Sequence, residues 1–532
     1  MSIFNYKKII NHSYIILIVL FSFFINWKYS KYGVFPIDTF LHYDSAYRIL
    51  NGEYPIKDYW IVSGFFVDFL QAFFFKIFGV NWYSYILHSS LLNVLISILT
   101  FNVFVRLNLK KEFAFFYSIS FSALAYSVSG TPFVDLHATF FCIIAVYFSF
   151  FAVNKPDKYL NWFLVVSFYF FAFLSKQVPT TYIIILNGIV ILSYLLAKKK
   201  LKPLLIIFLS LLINLLIFLF SLSLLGIELN NFYLQYLEYP RFIGAGRLSS
   251  FSFSVISFIS NYKFILVPLI LLFFIKTNKI IKKEINFFSS ESTNFLIFFT
   301  LCIALFLHQL LTKNQIYIYF LIPLSFAFLQ IEIKKLNLKY KNKFNYLIIF
   351  LVIFSTIKYH IKYNENRSFH ELSSTNISEY TEAASLDKSL EGIMWVSPFY
   401  KGDPQKEIEM LKKVKLQLNK KKNIMLLTNY LFLDSITGIA LNSPNRAHTF
   451  DGTNMPKNSN YNNVIIKNKK YFNHYKNFLY KKLKTKKINK IYFIESEDVE
   501  IQIFTQFFPK NCYARVNEGI LYFLKLDKSC LN

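Results

Sequence analysis

Charged side chains with the potential for catalysis are concentrated in one segment that follows the first apolar run of the chain. This segment contains four carboxylates, one histidine and one arginine: Asp38, His42, Asp44, Arg48, Glu53 and Asp58. A carboxylate is able to act as a general base toward a hydroxyl group. Asp38 comes soon after the apolar run 13–27, where a membrane helix would give way to headgroups and water. An acid there is able to meet a substrate whose lipid tail stays in the bilayer while its polar head stands outside.

The rest of the sequence is strongly apolar, and this decides which elements must position the charged segment. Of the 532 residues, 55% are hydrophobic and 64 are Phe, and the mean hydropathy is +0.39. Soluble domains of this size do not bury so much apolar surface. The apolar residues form continuous runs rather than an alternating pattern, so the sequence predicts membrane-spanning α-helices, each of about 20 residues.

The fold class predicted from these runs is an all-α polytopic membrane bundle of about eleven spans. Lys and Arg cluster in every second connection, as in residues 198–202, so the positive-inside rule predicts a cytoplasmic N-terminus. An odd number of spans then leaves the C-terminal part outside the cytoplasm. The predicted spans are residues 13–27, 83–105, 113–129, 135–153, 160–175, 179–196, 203–225, 253–275, 294–311, 316–331 and 344–357.

Two domains are predicted, a transmembrane domain over residues 1–357 and an extracytoplasmic domain over residues 358–532. The first outer loop, residues 28–81, carries the charged segment described above. Its later part, residues 60–78, is apolar but interrupted by charges. This pattern predicts a helix that lies in the membrane interface rather than crossing.

The C-terminal domain changes to a polar composition with short alternating elements, which predicts a small α/β fold. Cys512 and Cys530 could form a disulfide if the compartment is oxidising. The sequence shows no catalytic pattern in this domain. The predicted strands are Met394–Pro398, Asn423–Thr428, Lys490–Glu495 and Gly519–Leu526, and the predicted helices are Asp403–Leu418 and Tyr471–Leu483.

The first outer loop resembles the signature of the GT-C superfamily, multispan glycosyltransferases that use polyprenyl-phosphate-linked sugars. The similar branch includes the bacterial lipid A aminoarabinose transferase, the protein mannosyltransferases and the rhizobial core-galacturonosyltransferases. Its pattern is an acid, a short helix that ends at a glycine, here Gly52, and then Pro55-x-x-Asp58. In this register the catalytic acid falls on Asp38, and a shifted register would place it on Asp44. Asp38-Thr39 departs from the Asp-Glu or Asp-Gly of many relatives.

The resemblance implies that Asp38 deprotonates an acceptor hydroxyl, which attacks the sugar of a polyprenyl-phosphate donor. The acceptor would be a glycan, a lipid or a protein of the cell envelope. No metal or other cofactor is implied, since cations stabilise the phosphate that leaves. The further residues implied to contact substrate are Asp58, Asp135, His137, Lys176, Arg241, Arg247 and Lys313.

Each candidate residue also has a structural interpretation. Asp38 would stabilise a helix start, Asp58 would fix a turn, and Lys176 would extend toward lipid headgroups. The net charge of +28 does not indicate nucleic-acid binding, because the lysines cluster where membrane topology explains them. No nucleotide-binding motif is present.

Two other functions remain open from the sequence. One is a polymerase or ligase that acts on polyprenyl-linked glycan chains, for which a large loop late in the bundle would be expected. The other is a flippase of lipid-linked oligosaccharides, which predicts ionisable residues at mid-membrane depth. The charges of this chain instead lie at the ends of the predicted spans.

Overall fold

The computed structural model describes residues 3–126, 130–249, 251–312, 318–336, 341–373, 375–400, 402–448, 454–456, 460–461, 464–465, 469–497 and 505–531. Most of these residues are helical. The helices are α1 (Ile3–Tyr29), α2 (Pro36–Leu50), α3 (Phe65–Phe78), α4 (Trp82–Arg106), α5 (Lys111–Ala125), α6 (Val134–Asn154), α7 (Tyr159–Ser175), α8 (Gln177–Ala197), α9 (Leu201–Leu225), α10 (Leu229–Phe232), α11 (Tyr239–Ser249), α12 (Val255–Ile281), α13 (Ser290–Thr312), α14 (Leu321–Lys335), α15 (Lys341–His360), α16 (Pro404–Leu418), α17 (Leu433–Thr437) and α18 (Lys469–Thr485).

The described strands all lie in the last third of the chain. They are β1 (Thr381–Glu382), β2 (Met394–Trp395), β3 (Met425–Leu427), β4 (Asn460–Tyr461), β5 (Val464–Ile465), β6 (Lys490–Ile494), β7 (Tyr513–Glu518) and β8 (Leu521–Leu526). The largest sheet has the strand order β3-β6-β8-β7, in which β3 and β6 are parallel and the other two pairs are antiparallel.

Eight of the described helices are long and apolar enough to cross a membrane, and they are α1, α4, α6, α8, α9, α12, α13 and α15. A helical membrane bundle is therefore confirmed. The other three predicted spans also coincide with helices, but α5, α7 and α14 are shorter, with 15, 17 and 15 residues. A helix of 15 residues is about 22 Å long, less than the thickness of the hydrocarbon core.

The described chain divides into two compact units, each built from separated segments. The first unit contains residues 1–31, 86–217 and 252–373 and is helical. Buried amides connect its helices. The Asn26 amide donates to Ser89 Oγ at 3.1 Å, to Ser90 Oγ at 2.9 Å and to the Gly130 carbonyl at 3.1 Å. Such polar contacts between helices are typical of membrane bundles.

Gly130 shows how closely the chain approaches itself in this unit. A Cβ atom at residue 130 would lie 2.8 Å from Ser30 Cα, and the residue has a φ of +68°. Both the contact and the left-handed backbone require glycine there.

The second unit contains residues 32–85, 218–251 and 374–532, so the first loop belongs to the same unit as the C-terminal segment. Trp60 lies in an aromatic and aliphatic core with α11, α18 and the four-stranded sheet, and only 1% of its surface is exposed. The backbone is also connected, because the Trp60 N–H donates to the Pro444 carbonyl at 2.7 Å. The described structure therefore anchors the loop by core packing and by backbone pairing.

The C-terminal elements agree with the sequence in most places. The four predicted strands and both predicted helices are present, although several of them are shorter than expected. Strands β1, β4, β5 and β7 were not predicted. Cys512 and Cys530 form a disulfide. In the first loop, the helix predicted within residues 60–78 is α3.

Candidate active site

Asp38 lies in the first turn of α2, and the local sequence explains why a helix begins there. Pro36 occupies the first helical position, for which its fixed φ is suited. The Phe35 N–H donates to Thr39 Oγ1 at 3.0 Å, which closes the turn. A carboxylate in the first turn is favoured by the helix dipole. Asp38 is half-buried, so part of its surface stays accessible.

Asp44, the alternative catalytic acid, is buried one turn before Arg48 on the same helix. The Arg48 guanidinium lies 3.7 Å from Asp44 Oδ2, donates to Glu53 Oε2 at 3.1 Å and donates to the Ser443 carbonyl at 2.8 Å. Burial and the nearby Asp434 carboxylate raise the pKa of Asp44 well above its usual range, despite Arg48. Burial also raises the pKa of Asp434. Asp44 therefore belongs to a closed network and is poorly placed to accept a proton from a substrate.

Two lysines complete this network. Lys486 Nζ lies 3.1 Å from Glu53 Oε1, and Lys482 Nζ donates to the main-chain oxygens of Asp58 at 2.6 Å and Ser443 at 3.0 Å. Burial alone would raise the pKa of Glu53, but Arg48 and the two lysines lower it to about 2. Burial, with the repulsion of Arg48, lowers the pKa of Lys482 to about 7.

We refer to this network below as the Arg48 cluster. Its members are Asp44, Arg48, Glu53, Asp434, Lys482 and Lys486.

Asp58 has a local structural role. Its Oδ2 accepts the Tyr54 N–H at 2.8 Å, and its own N–H donates to the Tyr54 carbonyl at 2.8 Å. These two bonds close the turn that follows Gly52. Asp58 is half-buried, and its carboxylate is held against the backbone.

A second buried charged group joins α2, α3 and the C-terminal segment. His42 Nδ1 lies 2.5 Å from Asp68 Oδ1, and Arg446 donates to Asp68 Oδ2 at 2.9 Å and to Ser63 Oγ at 3.3 Å. Burial lowers the pKa of His42 despite the adjacent carboxylate. A neutral His42 then carries its proton on Nδ1, because a carboxylate only accepts. Asp68 is thus fully engaged in holding the loop.

In the first unit, the structure brings together two of the predicted residues. Lys176, between α7 and α8, donates to the two carboxylate oxygens of Asp135 at 2.7 and 2.6 Å. His308 Nε2 of α13 lies 3.0 Å from Asp135 Oδ1. The carboxylate balances the lysine charge, as a buried ion pair requires. Lys176 therefore has a fixed structural partner.

His137 does not join that carboxylate in the described contacts. Its Nε2 lies 3.1 Å from His88 Nε2, and its Nδ1 lies 3.0 Å from the Phe133 carbonyl. The Phe133 N–H also lies 3.3 Å from this Nδ1, so both ring nitrogens of His137 have polar neighbours.

The remaining predicted cations are on or beyond α11. Arg241 is exposed and Arg247 is half-buried, and both lie in this helix. Lys313 lies outside the described residues. Among the described residues, no group of three or more His, Cys, Asp or Glu side chains has the arrangement of a metal site.

Sequence reasoning missed the partners that fix these residues. His308, Asp434 and Lys482 were not singled out, and each contacts or influences a candidate residue from far along the chain. Arg446 and its partner Asp68 were not singled out either. No local pattern marks these residues. Arg446 is separated from Asp68 by 378 positions, and His308 from Asp135 by 173.

A scan against models of known protein families and a search of curated proteins found no match to this chain.

Proposed function

We propose that this protein is a membrane glycosyltransferase of the GT-C type. It transfers a sugar from a polyprenyl-phosphate donor to a glycan, lipid or protein acceptor on the outer face of the membrane. In this proposal the eleven helices that match the predicted spans all cross the membrane, with α5, α7 and α14 extended by their flanking residues. The N-terminus is cytoplasmic, and the C-terminal segment is extracytoplasmic.

The observation that carries the proposal is the accessibility of Asp38 compared with the other acids of the first loop. Asp44, Glu53 and Asp68 are buried, and each contacts an arginine. Asp58 is half-buried but fixes a turn. Asp38 is half-buried at the start of α2, close in sequence to the end of α1. A general base needs an accessible carboxylate near the membrane surface, and Asp38 fits this best.

The chemistry follows from these positions. The Asp38 carboxylate takes the proton of an acceptor hydroxyl, and the hydroxyl oxygen forms a bond to the anomeric carbon. The bond from that carbon to the phosphate oxygen breaks, and the polyprenyl phosphate leaves with its electron pair. Arg241, which is exposed, and Arg247 are the candidates for stabilising this phosphate, because a guanidinium binds a phosphate through two parallel hydrogen bonds.

The test is sugar transfer by the purified, lipid-reconstituted protein, offered a panel of radiolabelled polyprenyl-phosphate sugars and an envelope-lipid extract. Asp38→Asn should lower turnover about a hundredfold or more, which is the usual contribution of a general base. Asp403→Asn is the matched control, since Asp403 is an exposed helix cap and asparagine also caps helices. It should retain wild-type transfer.

Equal transfer by Asp38→Asn and wild type would reject Asp38 as the base. Transfer by neither protein from any donor, together with movement of a lipid-linked oligosaccharide across the vesicle membrane, would support the flippase instead. One observation bears on that alternative, because Asp135, Lys176 and His308 form a buried ionisable group. Asp135 is, however, the second residue of α6 and Lys176 follows the end of α7, so the group lies at helix ends.

A further inference from the structure

A cavity of about 850 Å³ opens at the end of the first unit where its lysine-rich connections lie. Its walls come from the C-terminal ends of α4, α6, α12 and α14 and from the first residues of α7 and α13. The predicted topology assigns this end to the cytoplasmic face. Its volume is in the range of small-molecule sites in proteins.

One wall of the cavity is an ion-pair network with an excess of lysine. Lys276 lies 2.6 Å from Glu291 and 2.8 Å from Glu332, and Lys335 lies 3.1 and 2.8 Å from the same two carboxylates. Lys279 lies 3.1 Å from Glu332. Both glutamates of this wall are therefore paired with lysines, and Lys279, which contacts Glu332 without lining the cavity, adds a positive charge beside the wall.

The other charged residues that line the cavity are all basic. Arg106, Lys155 and Lys158 also line the cavity, and none of them forms an ion pair with a carboxylate in the described part of the chain. The Arg106 guanidinium lies over the Phe151 ring at 4.2 Å, which holds it in place. Altogether, five basic and two acidic residues line the cavity.

We propose that this cavity binds a phosphate-bearing anion. A phosphate monoester or diester would accept hydrogen bonds from Arg106, Lys155 and Lys158, whose charges no carboxylate in the described structure balances. Apolar side chains also line the cavity, including Leu160 and Phe328. A ligand with both phosphate and an apolar chain, such as an anionic lipid, fits this mixture. This inference does not depend on the proposed glycosyltransferase activity.

The test measures lipid binding to the full-length protein in nanodiscs, using native mass spectrometry and the thermal shift caused by added lipid. The probes are phosphatidylglycerol, zwitterionic phosphatidylcholine and soluble glycerol phosphate. The triple variant Arg106→Gln, Lys155→Gln, Lys158→Gln should lose affinity for phosphatidylglycerol about tenfold or more. The matched control is Lys110→Gln, Lys198→Gln, Lys202→Gln, which removes the same charge from exposed residues outside the cavity. This control should bind within about twofold of wild type.

Competition by glycerol phosphate would show that the phosphate group alone is recognised, and its failure to compete would show that the lipid chain is also required. Both results support the cavity as the site. Equal losses in the two triple variants, or equal binding of phosphatidylglycerol and phosphatidylcholine, would overturn the proposal. If the triple variant does not fold, the single variants Arg106→Gln and Lys155→Gln replace it. Unchanged binding of phosphatidylglycerol by both single variants would also overturn the proposal.

Discussion

Helices α9 and α18 both contain leucine and aromatic residues, but α9 exposes most of them and α18 buries those on one face. In α9 only 17% of the most apolar 18-residue stretch is buried, and Leu205 and Phe208 are 57% and 63% exposed. In α18, Tyr475, Leu479 and Leu483 recur at every fourth position and are completely buried. An exposed apolar surface as large as that of α9 is stable only in lipid. The comparison shows that the two helices are built for different surroundings, lipid for α9 and a packed protein core for α18.

The largest expected effect tests whether the second unit depends on its buried charges. Arg48→Met should destabilise it by about 4 kcal/mol, because Asp44 and Asp434 would remain buried without the guanidinium, and Glu53 would keep only its lysines. Chemical denaturation in detergent would measure this. Arg515→Met is the control, since Arg515 is exposed on β7 and its replacement should cost about 1 kcal/mol or less. Equal effects would mean that the cluster adds nothing specific.

The next prediction compares one substitution in the two surroundings. Leu479→Ala should lower the free energy of unfolding by about 3 kcal/mol, because it leaves a cavity in the core of the second unit. Leu205→Ala on α9 should change it by less than about 0.5 kcal/mol, because that side chain faces outward. Both variants are measured by denaturation in the same detergent. A large loss in Leu205→Ala would contradict the outward orientation of α9.

The cysteines extend the comparison to redox chemistry. Cys512 and Cys530 close a loop with a sequence separation of 18, so replacing both with serine should destabilise the second unit by about 3 kcal/mol or less. Thermal denaturation with and without a reductant measures the effect. The reductant should lower the melting temperature of the wild type but not that of the double variant. Cys142 and Cys302 of the first unit are free and buried, so they should contribute nothing to this response.

The smallest expected effect is a dependence on pH. The pKa of Glu53 is lowered to about 2 in the folded protein, so unfolding takes up a proton as the pH falls below the usual glutamate pKa. This residue should therefore remove about 2 kcal/mol of stability between roughly pH 6 and pH 3. Between these pH values, the free energy of unfolding of Glu53→Gln should fall less than that of the wild type. An equal loss in the variant and the wild type would show that other carboxylates cause the acid destabilisation.

The sequence predicted the helices well because lipid imposes a local rule. A span needs a continuous apolar run, and such a run is visible without knowledge of its neighbours. The C-terminal strands β3, β6 and β8 were visible for the same reason, since they are mostly buried. Strand β7 was missed because four of its six residues are exposed, and its sequence does not alternate.

The candidate site was predictable only in part. The acids of the first loop stood out, but their partners did not, since Asp434 and Lys482 come from distant segments and have no motif around them. The same holds for His308 and Asp135. Which of these acids is buried and which is partly exposed is decided by such tertiary contacts.

The assembly of the second unit from three separated segments has a consequence for its synthesis. Residues 32–85 leave the ribosome early, but Arg446, which holds Asp68, and the sheet beneath Trp60 follow hundreds of residues later. During that interval Asp68 and Trp60, which are buried in the folded unit, lack their partners. Folding of this unit must therefore wait until residues 374–532 have been synthesised, and a chain interrupted before residue 374 would be a substrate for quality-control proteases.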